Sequence, residues 1–195
     1  KKSQRIIGGL QMKYPDWYQK NQKLIDYVEN EISTGKFAIL LTGKPGCGKT
    51  ALANIIFDHV LEINRENGRF SYICATANGM YQDYLNALNL IGKERTEAIA
   101  KAESYLNYDL SLLDDLGCEM DTEASANYFS RMFSSQYEMY QEGKRNATII
   151  TTNLTIDGIA TAYGSRVMDR IAEHYSVITM TNDSWRMKNM KQVRF

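Results

Sequence analysis

The chain has no run of about 18 consecutive apolar residues, so no membrane-spanning helix is expected, and nothing in it reads as a signal peptide. Cysteine is scarce: Cys47, Cys74 and Cys118 are odd in number and far apart, with no Cys-x-x-Cys pair. The two histidines, His59 and His174, stand alone. These absences argue against a disulfide framework and against a zinc site, and they fit a soluble protein of the reducing cytoplasm. Charge of one sign is lacking too. The 23 basic and 23 acidic residues give a formal net charge of +0, which excludes a strongly basic surface overall but leaves local basic patches open. There are no internal repeats and no low-complexity blocks. The 195 residues suffice for one good-sized core. The chain starts at Lys1 without a methionine, and it is expected to be part of a longer protein.

What is present is concentrated in one stretch. Gly43-Lys44-Pro45-Gly46-Cys47-Gly48-Lys49-Thr50 has the spelling of a phosphate-binding loop. The apolar run Phe37 to Thr42 before it reads as a buried strand, and Ala51 to Phe57 after it reads as a helix. Strand, glycine turn, helix is the context the chemistry requires. Glycine lets the backbone approach phosphate oxygens, and the loop N–H groups and the helix N-terminus then face the anion. Lys49 adds a positive charge for the β- and γ-phosphates, and the Thr50 hydroxyl suits Mg²⁺. Residues Gly43 to Thr50, with Ala51 at the head of the helix, are the candidate nucleotide contacts. Cys47 reads as a packing residue of this loop.

Apolar periodicity organises the rest. Residues 1–16 read as a linker or tail, and 17–195 as one domain. A helix is predicted over 17–33, opened by Pro15-Asp16 and closed by Gly35. The helix after the loop runs to about Asn64, and Asn67-Gly68 is a turn. Strands are predicted at 70–75, 110–115, 147–153 and 176–181. Helices are predicted across 78–107 (in two pieces, the second from Glu94 to Leu106), 122–141, 156–162 and 165–174. Strands alternating with helices call for a five-stranded parallel sheet covered on both faces.

Further candidates follow from where these strands end. Leu112-Leu113-Asp114-Asp115 delivers two carboxylates to the C-terminal end of a strand, where open α/β sheets bind ligands. Asp114 is the candidate for the Mg²⁺ shell and Asp115 for polarising an attacking water. Thr151-Thr152-Asn153 ends the next strand; Asn153 is favoured as the residue that touches the γ-phosphate or the water, with Thr152 as the alternative. Arg166 and Arg170 are four apart on one helix. Read as an exposed pair, they fit an arginine finger acting on a neighbouring subunit's nucleotide. Arg186, in Asn182-Asp183-Ser184-Trp185-Arg186, is a candidate to reach the subunit's own nucleotide. Tyr81 and Tyr84, near Lys93 and Arg95, allow either a core face or stacking on single-stranded bases.

The order of these parts resembles the AAA+ ATPases. Phosphate loop, Leu-Leu-Asp-Asp-Leu-Gly, Thr-Thr-Asn, Ser-Arg-Val-Met-Asp-Arg and Asp-Ser-Trp-Arg together are similar to the bacterial helicase loaders of the DnaC and DnaI type and their transposon relatives of the IstB type, over about residues 17 to 190. The resemblance implies a P-loop NTPase of the ASCE class with a reduced or absent lid, using ATP and Mg²⁺. By it, Gly46, Gly48, Lys49 and Thr50 are Walker A, Asp114 and Asp115 Walker B, and Asn153 sensor 1. Arg166 and Arg170 lie in the arginine-finger box, and Arg186 matches sensor 2. Asn21-Gln22-Lys23 matches the region bordering adenine, and 78–107 the extra helical stretch that faces single-stranded DNA. The implied function is slow, assembly-dependent ATP hydrolysis by a homo-oligomer on single-stranded DNA that helps to place a replicative helicase, gripped through an N-terminal domain outside this chain. Two alternatives stand beside it. One is an IstB-like transposition helper that binds duplex DNA and a transposase. The other is a P-loop small-molecule kinase, which the single arginine of 122–141 (Arg131) disfavours. A GTPase lacks support because no Asn-Lys-x-Asp guanine reader occurs.

Overall fold

The computed structural model describes residues 19, 22–33, 36–64, 66, 68–119, 122–144 and 146–181. In chain order these form α1 (Gln22–Ser33), β1 (Ala38–Gly43), α2 (Lys49–Ile63), β2 (Tyr72–Thr76), α3 (Ala77–Leu88), α4 (Gly92–Glu103), a 3₁₀ turn (Tyr105–Asn107), β3 (Leu110–Leu116), α5 (Glu123–Gln141), β4 (Ala147–Thr152), α6 (Ile156–Tyr163), α7 (Ser165–His174) and β5 (Ser176–Met180). The expected Trp17, Gly35, Asn67 and Arg186 positions lie outside the described residues.

All five strands are parallel, in the order β2-β3-β4-β1-β5. This is the predicted P-loop α/β fold of the AAA+ type. The central strands are buried on both faces, so their sequences run apolar without polar alternation. The side chains still sort by parity. Ala38 and Leu40 join one core with Tyr81, Tyr128, Phe129 and Phe133, while Ile39 and Leu41 join the other with Ile25, Leu52, Ile56 and Phe57. Helices α1 and α2 therefore cover one face, and α3 and α5–α7 the other.

Element boundaries depart from expectation in two informative places. The segment 78–107 breaks at the exposed Leu90-Ile91, and its second helix starts at Gly92 and ends at Glu103. There the Ser104 hydroxyl donates to the Lys101 carbonyl at 2.9 Å, competing with the helix ladder, and the chain tightens into the 3₁₀ turn. The strand expected to end at Asp115 runs on to Leu116 through an irregularity. Leu113 pairs with Ile150 but Leu116 pairs with Thr152, so β3 carries one extra residue, and Asp115 there has φ +57°.

The tyrosines read two ways from sequence take the core reading. Tyr81 and Tyr84 are 2% and 8% exposed, and both rings contact Tyr128. They are not surfaces for base stacking.

Candidate nucleotide site

The strand order brings the site together. Because β4 lies between β1 and β3, its C-terminal end stands between the glycine loop and the acid pair. Two glycines make the loop itself possible. Gly48 has φ +104°, and a Cβ on Gly43 would stand 2.4 Å from the Met180 carbonyl oxygen. Gly48 is also the N-cap of α2, and no side chain caps that end. The first-turn N–H groups are left to meet an anion.

Lys49 is 5% exposed, and its ammonium is held at three oxygens. It donates to the carbonyls of Gly43 (2.8 Å) and Lys44 (3.0 Å) and to Asn153 Oδ1 (2.7 Å). Cys47 is buried, with its sulfur 3.8 Å from the same nitrogen, and packs the loop from within. Asn153 thus reaches the loop lysine directly, while its Nδ2 lies 3.9 Å from Cys118 Sγ. Thr152 has different work. It is fully buried, donates to the Leu116 carbonyl (2.6 Å) and accepts from the Leu154 N–H (3.0 Å), so it pins the turn after β4. Of the two residues weighed for the phosphate, only Asn153 faces the loop.

On the other side of β4, the Thr50 hydroxyl donates to Asp114 Oδ1 at 3.1 Å. A hydroxyl and a carboxylate side by side are hard oxygen donors, the set that suits Mg²⁺. Thr50 and Asp114 are the residues that would hold it. Asp115 follows in the bulge, half-buried.

Sequence reasoning passed over two residues. Thr151 donates to Asp114 Oδ1 at 2.6 Å and accepts from the Asp115 N–H at 2.9 Å. Strand parity carried that signal, because Thr151 and Thr152 are consecutive in β4 and so point to opposite faces of the sheet. Glu119 was the other: it accepts from the Tyr163 hydroxyl and from the Gly117 N–H, tying the β3–α5 loop to α6.

The arginine pair is not uniformly exposed. Arg166 is exposed on the first turn of α7. Arg170 is half-buried against α5, where it donates to Ser134 Oγ and lies 5.3 Å from the centre of the Tyr137 ring. Of the pair read as exposed from sequence, Arg166 is exposed and Arg170 is not. Of the segment expected to border adenine, Asn21 lies outside the described residues; Gln22 opens α1 and donates to Asp26 at 2.8 Å. Lys93 and Arg95 are exposed beside Ile91, itself 84% exposed. Among the described residues no helix is long and apolar enough to cross a membrane.

Comparison with known proteins bears on the fold and the family. The chain is similar in structure to a DnaC helicase loader, at 19% identity over 82% of this chain and 89% of that one, with a TM-score of 0.63. It is similar to DnaI at 20% identity, over 82% of this chain and 84% of that one, with a TM-score of 0.60. AMPPCP-bound DnaA from Aquifex aeolicus gives 17% identity over 89% of this chain and 53% of that one, again with a TM-score of 0.60. Such likeness speaks to fold. In sequence, 100 residues (51% of this chain) are 31% identical to the chromosomal replication initiator protein DnaA of Lactococcus lactis subsp. lactis (strain IL1403), of whose length the chain spans 20%. The profile of the IstB-like ATP binding protein family matches residues 19–193, nearly the whole chain. The chain belongs to the IstB-like ATP binding protein family, and its fold is the one seen in the DnaC, DnaI and DnaA structures to which it is similar.

Proposed function

We propose that this chain is the ATPase part of a helicase-loading protein: it binds ATP with Mg²⁺, assembles with copies of itself on single-stranded DNA, and helps to place a replicative helicase. The observation that carries the reading is the convergence of Lys49, Asn153, Thr50 and Asp114 from three elements at one sheet edge. Lys49 and the α2 N-terminus offer positive charge for the phosphates. Thr50 and Asp114 offer oxygens for the cation, which when bound neutralises phosphate charge. Asp115, one residue on, is the candidate to polarise the attacking water. Its carboxylate sits on a stem one methylene shorter than glutamate's, so slow turnover is expected.

The exposed Arg166 and the α5-bound Arg170 are the candidates for a guanidinium that acts on the neighbour's γ-phosphate. A subunit alone is then incompletely active. Arg186 would serve the subunit's own nucleotide. Helicase loading is favoured by likeness to DnaC over most of both chains. Membership of the IstB-like family gives weight to the second reading, a transposition helper on duplex DNA. The small-molecule kinase drops out with the family assignment.

Two subunits test the proposal together. An Asp115→Asn subunit and an Arg166→Ala or Arg170→Ala subunit should each bind ATP yet hydrolyse it poorly, and their mixture should regain part of the activity. Single-stranded DNA should raise turnover, an effect that fades steeply with added salt. If no mixture recovers activity, the arginines do not act across subunits. Stimulation by duplex DNA alone would favour the transposition reading.

A further inference from the structure

Thr151 is fully buried in β4, and its hydroxyl is met from two sides. The Asp115 N–H can only donate, so the single hydroxyl proton is left for the Asp114 carboxylate oxygen on the other side. Asp115 N–H donates to Thr151 Oγ1 at 2.9 Å, and Thr151 donates to Asp114 Oδ1 at 2.6 Å. The same Oδ1 accepts from Thr50 at 3.1 Å. One carboxylate oxygen is thereby fixed from two elements, α2 and β4, and the carboxylate's rotation with it.

The backbone explains why a hydroxyl is needed at this place. Between Leu113 and Leu116 β3 advances three residues, while β4 advances two, from Ile150 to Thr152. The extra residue puts Asp115 at φ +57°, a left-handed conformation unusual for any residue but glycine. Thr151 stands opposite this bulge and accepts the N–H that the regular ladder leaves over. A valine would fill the same volume but could satisfy neither acid.

We propose that Thr151 is the positioning residue of the acid pair, setting the carboxylate of Asp114 for the cation and the bulged backbone of Asp115 for the water through a single hydroxyl. The proposal rests on the ATP and Mg²⁺ reading above. It differs from a packing role in a measurable way, because partners that orient a ligating group act on metal affinity rather than on the phosphate cradle.

The test is Mg²⁺ titration of the binding of a fluorescent ATP analogue, with the metal-free affinity measured in EDTA, on Thr151→Val and Thr151→Ser. Val should raise the Mg²⁺ concentration at half-effect by about tenfold or more and leave metal-free binding unchanged; Ser should stay near the parent protein. Should Thr151→Val fail to unfold cooperatively, Thr151→Cys, with its weak S–H donor, takes its place and should fall between Ser and the Val expectation. A Val variant that matches the parent in Mg²⁺ dependence overturns the proposal. So does one that loses metal-free and metal-dependent binding in equal measure, and so does a Ser variant as impaired as Val. Lys49→Ala, run beside them, separates the two levels. Loss of nucleotide there with an unaltered Mg²⁺ response in Thr151→Val removes only the role of Thr151, whereas undiminished binding in Lys49→Ala removes the site as well.

Discussion

Lys49 with Asn153, and Thr50 and Thr151 with Asp114, form two adjoining sets of contacts in one candidate site. The three cysteines sit around it, all free: Cys47 inside the loop, Cys118 beside Asn153, and Cys74 on β2, whose partner strand β3 bears Asp114. Cys74 and Cys118 are exposed as residues, but partial desolvation of the thiols, and after it the nearby carboxylates, oppose ionisation. Burial, then the charge of Asp115, pushes the Cys118 thiol up; burial, then Asp114 and Asp58, does the same to Cys74. The thiolate is the attacking species, so a raised pKa means less of it at neutral pH. Alkylation of both by iodoacetamide should therefore be slower than that of free cysteine at pH 7.5 and should climb only as pH passes the usual thiol range. Rapid labelling of Cys118 at pH 7 would mean that the thiol is better solvated than described, or that the acids around it are neutralised or turned away.

At the scale of elements, α5 holds the far end of the sheet in register through a buried polar cluster. Gln136 donates its two amide protons to the Thr148 hydroxyl (2.8 Å) and the Tyr140 hydroxyl (3.1 Å), with the Leu106 carbonyl a longer contact at 3.3 Å, and accepts from the Tyr175 hydroxyl. Burial raises the Tyr175 phenol well above its ordinary range, so it stays a donor across the working pH range. Gln136→Leu strands that hydroxyl and should cost about 1–3 kcal/mol in urea denaturation. Adding Tyr175→Phe removes the stranded group and should recover part of the loss. A Gln136→Leu chain as stable as its parent would mean that the cluster is not satisfied as described.

Elements were the most legible level of the sequence, and contacts the least. Apolar runs between turn residues locate all five strands because a parallel sheet buried on both faces leaves little polar residue in them. The glycine loop announces itself because few other residues tolerate its dihedrals. What the linear pattern hides is side-chain direction. The Thr-Thr-Asn run names three polar residues, and only the pairing of β4 with a bulged β3 separates the one that reaches Lys49 from the one that clamps Asp114 and the one that pins a turn. Arg170 is the same kind of case. Helical spacing puts it in line with Arg166, but Tyr137 and Ser134, more than 30 residues earlier in the chain, cover it.

For the whole molecule, the layered fold serves to present one edge. Two cores, one on each face, hold five strands so that β1, β4 and β3 end side by side, and the placing of the glycine loop, the lysine partner and the acid pair follows from that order. The assembly proposed above would build on nucleotide bound at that edge. The most direct measurement is the equilibrium binding of a fluorescent ATP analogue with Mg²⁺ to the parent chain and to Lys49→Ala, each first shown to be folded. The parent should bind saturably, and Lys49→Ala should lose at least about 2–3 kcal/mol of affinity, the scale of a charge-assisted contact. Equal affinity in the two proteins, or a folded parent chain that takes up no nucleotide, would contradict the account.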